Sequence, residues 1–258
     1  MLDLNLIGSA AIWAALLGAI VSAFTAFTGG LRRRPDLTDL GRYGTYFVFV
    51  CMTVAVGAME VALLTHDFSV HYVAEVGSRD VPPYYTAISL WSSLDGSILF
   101  WGWILAGYSA LVSFVNRDQY RTFMPYVVGT MMAVGVFFFA VLAGPMNPFG
   151  VVSPVPANGP GPNPLLQNHP LMGLHPPMLY LGYVGLTVPF AFAIAALVSG
   201  RLDATWIRAT RRWMIAPWAF LSAGIVAGAW WSYEVLGWGG YWAWDPVENA
   251  SFLPWLTA

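Results

Sequence analysis

The chain has 258 residues, 58% of them hydrophobic and 9% charged, with a net charge of −2 and a mean hydropathy of +0.63. A soluble domain carries about 25% charged residues, so a water-soluble globular fold is excluded, and nothing in the balance points to nucleic acid. The single cysteine, Cys51, excludes an internal disulfide or a cysteine-pair redox site and reads as a small packing residue inside an apolar run.

Apolar runs close to the ~20 residues needed to cross a bilayer recur along the chain. Six are predicted, over residues 6–27, 43–64, 97–115, 125–142, 178–198 and 214–231, and a seventh begins at Ala250. The expected fold is an all-α, polytopic helical membrane protein forming one transmembrane domain over 1–258, because a helix satisfies its own backbone in lipid. The first run has no basic residue before it and Arg32–Arg34 after it. That is the reverse of a secretory signal, and it is expected to be a retained span. Ten of the 11 arginines fall in alternate loops, which the positive-inside rule makes cytoplasmic; there is no lysine. The N-terminus, all four histidines and two long loops are then expected outside.

Glu60, near the outer end of the second run, is either an intramembrane functional carboxylate or a group that reaches the interface. In the first outer loop, over residues 66–95, Phe68, Val70, Tyr72, Ala74 and Val76 alternate strictly. That period predicts a half-buried extended segment, ended by Pro82-Pro83. Asp95 is the expected N-cap of the third span. The second outer loop, 144–177, holds ten prolines and five glycines. It is expected to be extended and packed over the outer helix ends.

His175 precedes Pro176-Pro177. The first proline should push it out of the α region and the second should start the fifth span. The imidazole would then sit on a rigid elbow at the surface. It has two readings, an interfacial capping histidine or an axial ligand to haem iron. His169, six residues earlier, lacks that second constraint. His66 and His71 are weaker candidates, and no spacing among the four histidines matches a zinc site.

Residues 230–255 contain six tryptophans, two tyrosines and three acids, with no arginine. Trp230, Trp231 and Trp255 fit an aromatic belt at span ends. Trp238, Trp242 and Trp244 do not. Trp242 and Trp244, two apart, should share a face if the stretch is extended, and Gly237, Gly239 and Gly240 permit close backbone approach. Asp245-Pro246 should start a helix, with Asp245 as N-cap and Glu248 in its first turn. A flat apolar macrocycle with polar edges suits such a surface.

The run from Gly237 to Phe252 resembles the tryptophan-rich WWD segment of the CcmF/NrfE family, the haem lyase components of System I cytochrome c maturation. The stretches His175–Tyr183, Asp67–Ala74 and Asp95-Gly96-Ser97 resemble the same family in the same order. The resemblance covers the N-terminal part of that longer architecture. It implies haem b held by His175 as iron ligand and by Trp238, Trp242, Trp244 and Asp245. It implies a CcmE-like holo-haem chaperone, a CcmH-like thiol-presenting protein and apocytochrome c as partners, in a bacterial inner membrane. Tyr241 stands where the family often has tryptophan, and Leu94-Asp95 where it often has His-Glu. The family's second outer histidine and its two membrane histidines lie beyond residue 258, so a split subunit or a truncated portion is expected. Arg79, the lone outer arginine, either pairs a haem propionate or makes a local pair with Asp80.

Three function classes follow. A haem lyase component needs no protein nucleophile, because the substrate supplies its own thiols. A haem carrier or exporter without bond-forming activity shares the tryptophan loop but not the His-Pro-Pro motif this far upstream. An ion-coupled transporter needs several midplane charges, and only Glu60 is available.

Overall fold

Long apolar runs take up helix, and the computed structural model describes residues 3–164, 169–237 and 239–258. Helices α1 (Leu4–Arg32) and α2 (Pro35–Thr65) form an antiparallel hairpin. The Asp3 carboxylate caps α1 by accepting the Leu6 N–H at 3.0 Å, and Arg33 closes it with a left-handed φ of 53°. Two short helices, α3 (His71–Val76) and α4 (Pro83–Ile88), precede α5 (Leu94–Val115) and α6 (Met124–Ala143). After a non-helical stretch come α7 (Leu171–Gly185), α8 (Thr187–Ser199), α9 (Ala204–Val235) and α10 (Pro246–Thr257). Six helical segments among the described residues are long and apolar enough to span a membrane: α1, α2, α5, α6, α7 with α8, and α9. The all-α polytopic architecture is as the sequence implied.

Helix α1 packs on α2 and α6, α2 on α5, α6 on α5 and α8, and α7 on α9. Ile12, Met52, Met59, Leu105 and Phe139 are sealed at the centre of the first four spans. At one end of the bundle the loops after α2 and α6 meet. Val70 forms an isolated bridge with Val151, and the His71 N–H donates to the Gly150 carbonyl at 2.7 Å.

The alternating segment is not extended. Residues 71–76 are helical, and Tyr72, Val73 and Val76 are buried, which is helical spacing. The reason is tertiary. The Tyr72 hydroxyl lies 2.7 Å from the Ser89 carbonyl and accepts the Ser93 N–H at 3.2 Å, bolting α3 to the start of α5. Only Val70 pairs as a strand residue would. Asp95 lies inside the first turn of α5, and Ser93 occupies the N-cap position.

The expected elbow at His175 is also corrected. Helix α7 starts at Leu171 and runs through both prolines. Pro176 has no N–H for the carbonyl of Met172, four residues earlier, which normally leaves an unsatisfied acceptor. The Trp91 indole N–H fills that place, donating to the Met172 carbonyl at 2.9 Å. Met172 is buried, at 1% exposure. Trp91→Phe is therefore expected to cost about 1–3 kcal/mol, the penalty of an orphaned buried acceptor. Thermal unfolding in detergent measures it, and Trp103→Phe, which loses only an exposed bond to Thr53, should cost less.

The span breaks for one residue at Leu186. Pro189 cannot donate to the Gly185 carbonyl, so the ladder is interrupted there. Below the break α7 crosses α9 closely. A Cβ at Gly182 would sit 2.5 Å from the Leu221 amide nitrogen, and one at Gly224 2.8 Å from the Leu179 nitrogen. Small residues at such crossings let two backbones approach in a membrane.

Candidate functional site

The start of α7 and the end of α9 bring the histidine and tryptophan motifs together. His175 is half-buried against α9. Its Nδ1 lies 2.8 Å from the Gly224 carbonyl oxygen. A carbonyl only accepts, so Nδ1 carries the proton and Nε2 keeps its lone pair. A backbone carbonyl on the far nitrogen is the usual way a protein fixes a metal-binding tautomer. The ring fits because residue 228 is glycine: a Cβ there would lie 2.5 Å from His175 Cε1 and 2.8 Å from Nδ1.

His169 has the opposite arrangement. Its Nδ1 accepts the Leu171 N–H at 3.2 Å, and its Nε2 lies 2.8 Å from the Glu234 carboxylate. Both nitrogens are engaged, so neither offers a lone pair to iron. Glu234 also accepts the Trp230 indole N–H. The His169 ring stacks parallel to Trp231 at 5.9 Å, and His175 meets the same indole edge-on at 5.7 Å. Trp231, expected only in the interfacial belt, is thus the hub joining both histidines. Its signal was in the sequence: Gly224, Gly228 and Trp231 fall at i, i+4 and i+7, on one face of α9.

The tryptophan loop closes on itself. Tyr233 and Tyr241 stack at 4.4 Å, and Gly237 and Gly239 have φ of 66° and 74°, the left-handed turns that bring them together. Trp242 and Trp244 do not share a face as an extended pair would. Trp244 takes φ 59°, and the rings meet edge-to-face at an interplanar 83°, both packed around Phe252. Trp238 lies outside the described residues. Asp245 is the N-cap: it accepts the Glu248 N–H at 2.7 Å, and Glu248 reaches back to the Asp245 N–H at 3.4 Å and the Ala243 N–H at 2.7 Å. That reciprocal capping box starts α10. Trp255 is not at a span end but stacks on Trp218, midway along α9, at 5.9 Å.

Arg79 makes no ion pair with Asp80 among the described residues. Its guanidinium lies over the Phe68 ring at 5.3 Å and donates to the Ala157 carbonyl at 3.3 Å, while Asp80 accepts from Asn158 at 3.3 Å. Pairing a propionate would require it to exchange these partners. His71, Glu75 and Asp95 place ligand atoms within 4.8 Å of one another, a cluster that sequence spacing alone did not reveal. His66 caps α2, with Nε2 sealed and unpaired.

The chemistry of the donor set suits haem. Two indole N–H groups, on Trp231 and Trp242, are sealed from solvent with no acceptor among the described residues. A buried unpaired donor costs about 1–3 kcal/mol, and a carboxylate-bearing ligand would relieve that cost. A neutral imidazole with a free Nε2 and several exposed aromatic faces complete the set.

Comparison with known proteins identifies the family. Residues 91–258 match the family described as cytochrome C assembly protein. The chain is 45% identical over 247 residues to the cytochrome c-type biogenesis protein CcmF of Pseudomonas fluorescens, covering 94% of this chain and 37% of that one. It is 39% identical over 252 residues to CcmF of Escherichia coli K12, covering 97% and 39%. It is 37% identical over 238 residues to NrfE of Haemophilus influenzae, covering 92% and 37%. A solved structure, "Cytochrome c Heme Lyase CcmF", superposes with a TM-score of 0.86 at 39% identity, covering 99% of this chain and 41% of that one. The chain spans roughly two fifths of the length of these relatives. With residues 91–258 matched by the family's own model and relatives this similar along nearly its whole length, the chain belongs to the cytochrome c assembly proteins, in the CcmF/NrfE group.

Proposed function

We propose that this chain forms the haem-receiving part of a cytochrome c haem lyase of the System I type. It takes haem b from a CcmE-like chaperone at the outer, periplasmic face of a bacterial inner membrane. It then positions that haem for attachment to the CxxCH motif of apocytochrome c, presented by a CcmH-like protein. The observation that carries the reading is the Nδ1 bond from His175 to the Gly224 carbonyl, which leaves Nε2 free to bind iron. The unpaired N–H groups of Trp231 and Trp242 support it as donors to propionates. Trp242, Trp244 and Trp238 supply apolar faces to the macrocycle, and Asp245 holds that loop to α10.

Attachment adds each thiol across a haem vinyl group. A C–S bond forms at one vinyl carbon, the thiol proton goes to the other, and no electrons are exchanged with an outside agent. The protein contributes orientation, and effective molarity of this kind is worth about 7–11 kcal/mol in well-aligned systems. No nucleophilic side chain is required, which fits a site built of histidine, tryptophan and backbone carbonyls. The deciding experiment supplies the full-length protein, holo-chaperone and apocytochrome, and follows covalent haem. Haem capture without thioether formation would make the protein a carrier instead.

Two further expectations attach to this reading. Ten of the 11 arginines sit at the bundle end opposite the site, so the site should face outward. In a Cys51→Ala background, Val155→Cys should label with an impermeant maleimide in intact cells, and Leu202→Cys should not. The reverse pattern inverts the topology. For the propionate role of Arg79, Arg79→Gln should weaken native haem about tenfold or more, the worth of a charge-assisted contact of roughly 1.5–3 kcal/mol, and leave dimethyl-ester haem unaffected. Equal native-haem affinity would assign Arg79 to the Phe68–Ala157 contact alone.

A further inference from the structure

At the opposite end of the bundle, the turn between α1 and α2, the α5–α6 loop and the end of α8 enclose an open groove of about 950 Å³. Six arginines line it: Arg33, Arg34, Arg42, Arg117, Arg121 and Arg201. Its two carboxylates are already engaged, Asp39 by Arg42 at 3.0 Å and Asp118 by Arg117 at 3.2 Å. Arg34 pairs with Asp36, and the nearby Asp203 carboxylate caps α9 by accepting the Thr205 N–H at 2.7 Å. Arg33, Arg121 and Arg201 have no ion-pair partner among the described residues.

A second feature points into the same groove. Ser113, at 0% exposure, lines it, and its hydroxyl has no hydrogen-bond partner among the described residues. A serine in a helix normally donates to the carbonyl four residues back, as Ser109 does to Leu105 at 2.7 Å. The Ser113 hydroxyl makes no such bond among the described residues. The walls are not wholly polar, since Met124, Pro125, Val128 and Val198 contribute apolar surface. A small inorganic anion has no use for that surface; an amphiphile does. The groove also lies where α1, α5 and α8 end and α2 and α6 begin.

We propose that this groove binds the phosphate headgroup of an anionic phospholipid. Arg33, Arg121 and Arg201 neutralise the phosphate, Ser113 donates to it, and the apolar wall receives the glycerol and first acyl carbons. Basic pockets between transmembrane helices recognise anionic headgroups in this way, and each arginine removed should cost about fivefold in affinity.

The test uses the full-length protein in detergent, titrated with phosphatidylglycerol, phosphatidylcholine or inorganic phosphate, with binding read by native mass spectrometry and melting temperature. Phosphatidylglycerol should bind and stabilise, and phosphatidylcholine should not. Arg121→Gln with Arg201→Gln should lose at least tenfold of that binding. The charge-matched control Arg211→Gln with Arg212→Gln, on α9 and outside the groove, should lose little. Ser113→Ala should bind phosphatidylglycerol more weakly yet melt no lower when lipid-free, because the hydroxyl it removes is unpaired. Equal losses in the two arginine pairs would show diffuse charge and overturn the site. Inorganic phosphate protecting as well as phosphatidylglycerol would overturn the lipid assignment in favour of a free anion.

Discussion

His175→Ala is expected to reduce transfer of haem from holo-chaperone to this protein by at least tenfold, with covalent cytochrome c falling in proportion, while His169→Ala has a far smaller effect. The two histidines are six residues apart and touch the same indole, so proximity does not separate them. Their hydrogen bonds do. His175 gives its Nδ1 proton to Gly224 and keeps Nε2 free, whereas His169 spends one nitrogen on the Leu171 N–H and the other on Glu234. The readout is the visible spectrum of purified protein after mixing with holo-chaperone, compared with parent at equal protein. Exogenous imidazole should partly restore the spectrum of the alanine variant, since the lost group is a neutral ring nitrogen. Equal haem uptake by His175→Ala and parent would remove His175 from the site, and a collapse in His169→Ala alone would exchange the two assignments.

Gly228→Ala should damage the same function without removing any group proposed to bind haem. A Cβ at residue 228 would sit 2.5 Å from His175 Cε1 and 2.8 Å from Nδ1. The ring must rotate or shift, and the bond to the Gly224 carbonyl is what it loses. Loss of an orienting contact behind a metal-binding histidine typically costs about 10–100-fold in affinity. The overpacking itself should cost about 1–3 kcal/mol of stability, which a melting curve reports separately. Gly57→Ala is the control, because nothing lies within 4 Å of a Cβ there. If Gly228→Ala binds haem as the parent does, the tautomer-fixing contact has no part in capture.

Much of this protein was legible before any coordinates. Hydropathy alone locates the spans, because a backbone in lipid has no partner but itself and a helix must therefore be long and continuous. The predicted run at 43–64 lies inside α2, and the run at 97–115 ends with α5 at Val115. The cap at Asp245 was legible for a similar reason, since Asp-Pro-Val-Glu satisfies the first free N–H groups of a helix by local bonds. What failed in the sequence reading failed where a distant group decided the outcome. Alternation over residues 68–76 read as extended, yet helix formed because Tyr72 found its partners beyond Ser89. Two consecutive prolines read as a helix start, yet the helix continued through them because Trp91, some eighty residues away, supplies the missing donor.

The candidate site divides along the same line. By itself, the sequence determined that a histidine and a tryptophan-rich loop share one end of the bundle, since helix count and loop parity settle that. Only the tertiary structure decided which histidine has a free nitrogen. That depends on a carbonyl of α9 meeting a ring of α7, and on the glycines at 182, 224 and 228 that let those helices approach. Composition and period act along one segment and survive in any fold that keeps the segment. A hydrogen bond between two helices exists only in the packing that brings them together.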